Sequence, residues 1–398
     1  MNSRPISVVL LGALVGAALS GVSATTHAQE TNASITLPAY SFNNLYQLTV
    51  PSGYGIQSIW GVSADGHQVV GTESRNMSGF SYAALWNDPT SLAITLNQSG
   101  SSAALAANGT LQVGSAYNGG ANEEHPIVWS GTANSGVFLS PAGYLGEANG
   151  VAGNQIVGFV SLNGQDHALL WTGSNYSAVD LQPSGSIYYG SDAVATDGVR
   201  QVGNASTTVN GTATTHAMLW NSTASSAVDL NPTTTTFSQA LGISGTQQVG
   251  IGAFGNGDHA MLWTGTANSA VDLNPSTYSE SEAVSTNGIY QIGYANQGYL
   301  TADHAMIWAG TAGSALDLSS LVPGGATNSQ ALSIDANGNV FGYAVENGKY
   351  YAVEWVAVPE PSPMSLLAVA GLVLLVWRLS GPQSRRVSAS IQKPKNGG

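Results

Sequence analysis

The chain contains no cysteine, and only 8% of its 398 residues are charged. The lack of cysteine excludes disulfides, thiol chemistry and zinc sites built on thiolates. Nine Lys and Arg residues stand against 22 Asp and Glu residues, which gives a formal net charge of -13 at pH 7. Because phosphate binding needs clustered cations and no basic patch appears, we expect no nucleic-acid partner.

The sequence is rich in glycine, with 49 residues, and 43% of its residues are apolar. It is therefore too apolar for disorder and too rich in glycine for a helical protein, and an all-β secreted protein fits. Residues 1–28 read as a signal peptide: Arg4 is followed by an apolar run and by small residues, with cleavage after Ala28 or, as second choice, after Ala24. A retained N-terminal anchor is the alternative, although the apolar run is short for a membrane span.

A tryptophan recurs along the chain at intervals of 42 to 49 residues, at Trp86, Trp129, Trp171, Trp220, Trp263, Trp308 and Trp355. A second anchor ends in a glycine, at Gly71, Gly114, Gly158, Gly203, Gly250, Gly293 and Gly342. From glycine to tryptophan the separations are 15, 15, 13, 17, 13, 15 and 13 residues, so they differ by even numbers. An even change lengthens a hairpin without turning its buried face outward, and the parity therefore predicts paired strands.

Two further spacings indicate four short strands per repeat. The leucine of the "VDL" motif lies ten residues after the tryptophan in six repeats, which predicts a second hairpin of fixed length. Upstream of the anchor glycine, pairs such as Asp65-Gly66 and Asn287-Gly288 predict type I′ turns. Four antiparallel strands in each of seven repeats predict an all-β fold, a seven-bladed β-propeller.

The last repeat lacks a fourth strand, and residues 41–50 precede the first repeat with a strand-like pattern. We expect this N-terminal segment to be the outer strand of the blade that holds the C-terminal three, with the "SxAxx" strand innermost, where its Ala and Ser suit a crowded axis. The alternatives are an open β-solenoid and a six-bladed ring.

Five histidines stand four residues before their tryptophan, at His125, His167, His216, His259 and His304. A ring of histidines suggests a metal site, but equivalent residues of a propeller lie far apart, so we favour structural hydrogen bonding. The repeated Asp180, Asp229, Asp272 and Asp317 are distributed likewise and do not form the converging pair of a glycosidase. We predict no catalytic residues, no metal and no cofactor.

Aromatic residues concentrate in loops that enter each repeat or precede the histidine strand, and these loops would share one face of a propeller. Ligand binding is suggested for Tyr144, Tyr188, Tyr189, Phe237 and Tyr278. Folding back onto the rim is the preferred alternative for any single one of them.

The chain ends in a Pro-Glu-Pro tripeptide, an apolar run and arginines. These are Pro359, Glu360 and Pro361, then residues 364–377, then Arg378, Arg385 and Arg386. The prolines interrupt regular structure, the run predicts a membrane helix, and the arginines would stay cytoplasmic. Fourteen apolar residues are short for a span, so a buried helix competes.

The order of these three parts, over residues 358–386 with a short tail at 387–398, closely resembles the PEP-CTERM sorting signal of Gram-negative and related bacteria. The resemblance implies an exosortase as processing partner, transient anchoring in the inner membrane by the C-terminal helix, removal of the tail, and delivery to the cell surface or an exopolysaccharide matrix.

The repeats resemble extracellular HAF repeats, named for His-Ala-Phe, over roughly residues 56 to 355 of a predicted propeller domain of 41–357. His-Ala-Met stands in three copies, His-Ala-Leu in one, and residues 333–342 are close to the other half of the family's repeat. The resemblance implies a propeller-like extracellular domain without established chemistry. We therefore expect a non-enzymatic surface or matrix protein that binds polysaccharide or surface proteins. The alternative is an extracellular enzyme, a hydrolase or lyase, which carboxylates clustered at the mouth of one face would support.

Overall fold

The structure is a computed structural model that describes residues 35–358 except 76–78, 98–99, 118–122, 141–143, 186, 256 and 299–300. The predicted signal peptide, Pro-Glu-Pro motif, apolar run and arginine cluster lie outside these residues. Within the described part of the chain, no helix is long and apolar enough to cross a lipid bilayer. All described strands belong to one compact unit that starts at Thr36.

The described residues form 28 strands in seven four-stranded antiparallel sheets. The strand that precedes the first repeat is β1 (Ala39–Gln47). Blades 1 to 3 contain β2 (Tyr54–Val62), β3 (Val69–Arg75), β4 (Ser81–Trp86), β5 (Ile94–Thr95), β6 (Ser102–Ala107), β7 (Gln112–Tyr117), β8 (Glu124–Trp129), β9 (Val137–Phe138), β10 (Gly146–Ala152), β11 (Gln155–Leu162), β12 (Gln165–Thr172) and β13 (Ser177–Asp180).

The remaining strands follow in the same order from the inner to the outer edge of each blade. Blades 4 to 7 contain β14 (Tyr188–Thr196), β15 (Gln201–Val209), β16 (Thr212–Trp220), β17 (Val228–Asp229), β18 (Ser238–Ser244), β19 (Gln247–Phe254), β20 (Gly257–Trp263), β21 (Val271–Asp272), β22 (Glu280–Thr286), β23 (Gln291–Asn296), β24 (His304–Trp308), β25 (Leu316–Asp317), β26 (Asn328–Ile334), β27 (Val340–Glu346) and β28 (Lys349–Val358). Short 3₁₀ helices occupy Ala224–Ser226, Ala267–Ser269, Ala312–Ser314 and Ser319–Leu321.

The seventh blade joins the two ends of the repeat region. Strand β1 pairs antiparallel with β28, from Ala39 opposite Val358 to Gln47 opposite Tyr351, and the sheet order is β1, β28, β27, β26. The prediction that the N-terminal segment supplies the missing outer strand is confirmed. Seven complete blades also exclude the six-bladed ring and the open solenoid.

The constant tryptophan spacing corresponds to a constant strand register. In each blade the tryptophan lies opposite the residue two positions before the anchor glycine, as in Gln201 opposite Trp220 and Gln248 opposite Trp263. Extra residues therefore lengthen only the far end of the hairpin, as the even spacings predict. The seven repeat tryptophans are at most 1% exposed, and Trp220 packs on Leu170 of the preceding blade. These tryptophans fill the space between blades.

The prediction of type I′ turns before the anchor glycines is wrong. Gly66 and Gly288 have positive φ, but Asp65 and Asn287 do not. The Asn287 side chain instead accepts hydrogen bonds from the backbone N–H groups of residues 289 and 290, which forms an Asx-type turn. Both central residues have positive φ in the Asn163-Gly164, Asn210-Gly211 and Asn347-Gly348 hairpins, which join the second and third strands.

Candidate functional site

The start of each inner strand lies beside the hairpin that joins the second and third strands. In blade 3, for example, Gly146 is opposite Val160, and Val160 is opposite His167. We call this side of the propeller the upper face. The loops that carry the predicted aromatic residues therefore lie on one face, as expected.

Four of the five histidines pair with the repeated aspartates within their own blades. The distances from Nδ1 to Oδ2 are 2.9 Å for His167–Asp180, 2.7 Å for His216–Asp229, 2.9 Å for His259–Asp272 and 2.9 Å for His304–Asp317. The other carboxylate oxygen of Asp229 accepts a hydrogen bond from the backbone N–H of Asn231. Each of the other three aspartates accepts one in the same way, from the residue two positions later. His125 bonds the carbonyl of Tyr144 at 2.8 Å.

These contacts confirm structural hydrogen bonding for the repeated histidines and aspartates. Burial opposes the charge of Asp229, but its bonds to His216, the backbone and Tyr188 hold its pKa below the usual value. Among the described residues, no three His, Cys, Asp or Glu side chains are arranged to hold a metal ion.

The Ser and Ala of the innermost strands lie between blades and not at the axis, contrary to the expectation. Ser191 Oγ accepts the backbone N–H of Ala168 in the preceding blade at 2.9 Å, and Ser102, Ser238, Ser281 and Ser329 make the equivalent bond. The alanines that follow, such as Ala193, are fully buried. The residues on either side of each alanine alternate with these buried positions and face the central channel.

The residues that precede these alanines, together with the equivalent Ser58 of blade 1, surround the channel mouth, and six of the seven are polar. We call them the polar ring: Ser58, Ala103, Glu147, Asp192, Gln239, Glu282 and Gln330. The anchor glycines position this ring. A Cβ at Gly293 would lie 1.9 Å from the carbonyl oxygen of Glu282, and the other six glycines face their ring residue at 1.9 to 2.2 Å. Each anchor glycine is therefore required by the close approach of the inner strand.

The residues that follow the same buried positions form a second ring below the first: Trp60, Leu105, Asn149, Val194, Leu241, Val284 and Leu332. Each one is the extra residue of a β-bulge against the second strand. We call it the apolar ring, since six of the seven are apolar. Trp60 is 52% exposed, whereas the seven repeat tryptophans are buried.

Carboxylates from the second-to-third hairpins meet the polar ring of the next blade. Ser115 Oγ lies 3.3 Å from carboxylate oxygens of both Glu124 and Glu147, and burial and the neighbouring Glu124 raise the pKa of Glu147. Burial, with the negative charges of Glu147 and Asp166, raises the pKa of Asp192 to about 7. The mouth therefore has a negative potential.

Two cavities open into the mouth. The axial cavity, of about 320 Å³, is lined from three blades by Ser58, Ile59, Trp60, Glu282, Val284, Tyr294, Gln330, Leu332, Tyr343 and Tyr350. The side cavity, of about 240 Å³, lies between blades 3 and 4 and is lined by residues 164–166, 189–192, Asn204 and Ser206. Both combine aromatic rings with carboxylates and amides.

The five predicted loop aromatics separate into two groups. Tyr188 and Tyr278 donate to Asp229 and Asp317 at 2.8 and 3.0 Å, so their hydroxyls stabilise the histidine–aspartate pairs. Phe237 is half-buried, whereas Tyr144 and Tyr189 are 40% and 41% exposed. Of the five, only Tyr189 lines one of these two cavities.

The polar and apolar rings were not among the sites predicted from the sequence. The residue types on either side of the repeated alanine differ from repeat to repeat, although the spacing of the repeats is regular. This difference was the one sequence feature that could have indicated the two rings. Trp60 does not belong to the regularly spaced series of tryptophans, and this exception could have marked it as a candidate site residue.

No family model matches the sequence, and no protein of curated function matches it. Solved structures are similar in fold. The oligogalacturonate lyase of Vibrio parahaemolyticus is 10% identical, with a TM-score of 0.49 over 82% of this chain and 98% of that one. The β-propeller domain of the Trilobed protease from Pyrococcus furiosus is 9% identical, with a TM-score of 0.49 over 78% and 95%.

TolB from Acinetobacter baumannii is 9% identical, with a TM-score of 0.41 over 62% of this chain. The chain spans 64% of the length of that TolB. At these identities the likeness concerns the fold alone.

Proposed function

We propose that this protein is an exported surface or matrix protein whose propeller binds carbohydrate at the upper mouth of its channel, without chemical turnover. The observation that carries the proposal is the composition of the mouth. Exposed aromatic rings, Tyr189 and Trp60, stand beside carboxylates and amides in open cavities. Aromatic faces cover the apolar faces of sugar rings, and carboxylates and amides bond sugar hydroxyls.

The position of the sorting motif supports export. Strand β28 ends at Val358, opposite Ala39, and the Pro-Glu-Pro motif begins at the next residue. A segment that follows the last paired residue directly would be removable without loss of a blade. In this proposal an exosortase processes the chain after Val358, and the closed propeller reaches the surface or the exopolysaccharide matrix.

A second function, a polysaccharide hydrolase or lyase, is favoured by one specific observation. Carboxylates converge at the mouth of one face, and two of them, Asp166 and Asp192, line the same cavity. The pKa of Asp192 is raised to about 7, while Asp166 beside it contributes a negative charge. Two carboxyl groups in one cavity, one of them with a raised pKa, are the kind of pair that glycosidic bond cleavage uses. The same groups can bond sugar hydroxyls without cleavage, so turnover must be measured.

The test uses protein purified from its own cells, with and without the exosortase, on immobilised and soluble glycans. We expect binding of a glycan class that Tyr189→Ala weakens at least tenfold, with Tyr144→Ala as the exposed control outside both cavities, and no change in the mass of the soluble glycan. Shortened or unsaturated glycan products would establish the enzyme instead. Absence of binding to every glycan would refute carbohydrate recognition, and an uncleaved chain in both strains would refute exosortase processing.

A further inference from the structure

Four aromatic residues line the axial cavity, whereas Tyr189 is the one aromatic residue in the lining of the side cavity. Trp60 contributes an indole that is half exposed, and Tyr294, Tyr343 and Tyr350 line the same space. The rings of Tyr343 and Tyr350 are 5.6 Å apart and tilted by 50°. Below them, Val284 and Leu332 of the apolar ring complete an apolar floor. Such a site accommodates a flat, partly apolar ring against Trp60.

One carboxyl group lines this aromatic space, and a second is bonded to one of its lining residues. Glu282 lines it and accepts a hydrogen bond from the hydroxyl of Tyr294 at 2.6 Å. Asp303, in the adjoining hairpin, accepts from Gln330 at 2.7 Å and from Asn296 at 3.0 Å. Burial raises the pKa of Glu282, and the neighbouring Asp303 and Asp258 raise it further. Burial and the negative charge of Asp303 also raise the pKa of Tyr343, so the potential in this part of the cavity is negative.

No described Lys or Arg lines the cavity to offset these charges. The cations of the described chain are Arg75, Arg200 and Lys349. Arg75 lies over the ring of Tyr54 at 5.7 Å, and Lys349 is opposite Glu346 in its hairpin. Arg200 belongs to a first-to-second-strand turn, on the face away from the mouth. A positive charge in the cavity must therefore come from the ligand.

The size and position of the cavity limit the length of chain that it holds. Its volume of about 320 Å³ is at the small end of ligand pockets, which span roughly 300 to 1,000 Å³. Trp60, Val284 and Leu332 of the apolar ring line its lower part, and a space of this size holds only a short stretch of a polymer.

We infer that the axial cavity binds the terminal unit of a sugar chain that carries a protonated amine, with the sugar ring against Trp60 and the amine near Glu282 and Asp303. This inference rests on the proposed carbohydrate-binding function and specifies its ligand. A neutral sugar ring gains only the aromatic contact, and a uronic acid is repelled by the same carboxylates. An amine combines the aromatic contact with charge complementarity and cation–π attraction.

The test compares three soluble probes: the trimers of glucosamine, N-acetylglucosamine and galacturonate. The full chain is titrated at a pH that protonates the glucosamine amine, at low salt, with tryptophan emission as the readout. We expect the glucosamine trimer to shift the emission and to bind at least tenfold tighter than the N-acetylated trimer, with no binding of galacturonate. A rise in salt reduces this preference because the added contact is electrostatic.

Three variants assign the signal. Trp60→Phe abolishes the emission change, and Glu282→Gln reduces the preference for the amine to below about threefold while N-acetylated binding persists. Tyr144→Ala, which is exposed and lies outside both cavities, leaves the preference unchanged. Unfolding temperatures equal to that of the unchanged protein show that the variants are folded.

Equal binding of the neutral trimer, binding of galacturonate, or glycan binding that Trp60→Phe does not alter would overturn this inference and leave carbohydrate recognition standing. Failure of all glycans to bind anywhere on the protein would overturn both proposals.

Discussion

Replacement of an anchor glycine by alanine tests the geometry that positions the channel mouth. At Gly293 the new Cβ would lie 1.9 Å from the carbonyl oxygen of Glu282 and 3.1 Å from Cα of Ala283. Since real Cβ atoms do not approach closer than 3.0 Å, the inner strand must move by at least 1.1 Å. This displacement exceeds the tolerance of the ladder hydrogen bonds between β22 and β23 beside Gly293.

The expected loss follows from these two effects. Overpacking costs about 2 kcal/mol, and two weakened backbone hydrogen bonds cost about 1 kcal/mol each. We expect Gly293→Ala to lower the free energy of unfolding by about 4 kcal/mol, and the unfolding temperature by about 8 °C. Circular dichroism during heating measures the change in unfolding temperature.

The matched control is Gly313→Ala, where nothing lies within 4 Å of the new Cβ and φ is not left-handed. The control should stay within about 1 °C of the unchanged protein, because no atom must move. If Gly293→Ala unfolds within about 2 °C of this control, then close approach of the inner strand does not explain the anchor glycines.

Three further predictions concern the blades, the mouth and the ring closure. Asp229→Ala removes three hydrogen bonds, to His216, Asn231 and Tyr188, whereas Asp272→Ala removes two, to His259 and Asn274. In urea unfolding, the free energy of unfolding should fall by about 3 kcal/mol in the first variant and about 2 kcal/mol in the second. Equal losses would contradict the bonding scheme. Between pH 3.8 and about 7, Asp192 holds a proton in the folded protein that it has lost in the unfolded chain. Its contribution to the free energy of unfolding therefore falls as pH rises through this range, and Asp192→Asn should make the unfolding temperature fall less steeply with pH. An unchanged dependence on pH would show that the group titrates normally. Deletion of residues 39–47 should expose the edge of β28, so that its backbone N–H groups exchange with solvent faster and the protein associates on size exclusion; unchanged exchange would mean that β1 is not needed for closure.

The repeat frame was predictable because it depends on spacing. Parity of the distance from Gly293 to Trp308, and from its equivalents, reports strand pairing directly, and the incomplete last repeat indicated the closing strand. Hydrogen bonding of the histidines followed from their separation around a ring.

The mouth was not predictable from the same reasoning. A bulge at Val284 inserts one residue, and its direction depends on contacts with neighbouring blades. The bond between Tyr188 and Asp229 joins residues 41 positions apart, so no local pattern indicated that this tyrosine was engaged. At Asn287 the side chain bonds the backbone and replaces the expected turn, a competition that the dipeptide alone does not resolve.

The pairing of β1 with β28 also sets the order in which the protein can fold. Asn43 and Glu354 are 311 positions apart, whereas neighbouring blades meet across about 43, as at Asn149 and Asp192. The entropy of closing the longer loop costs about 1.8 kcal/mol more. Six blades can therefore assemble during synthesis, each on its predecessor, while the seventh waits for residues up to Val358. Until then β1 has no partner strand, so the nascent ring is an open arc whose closure is the last folding event.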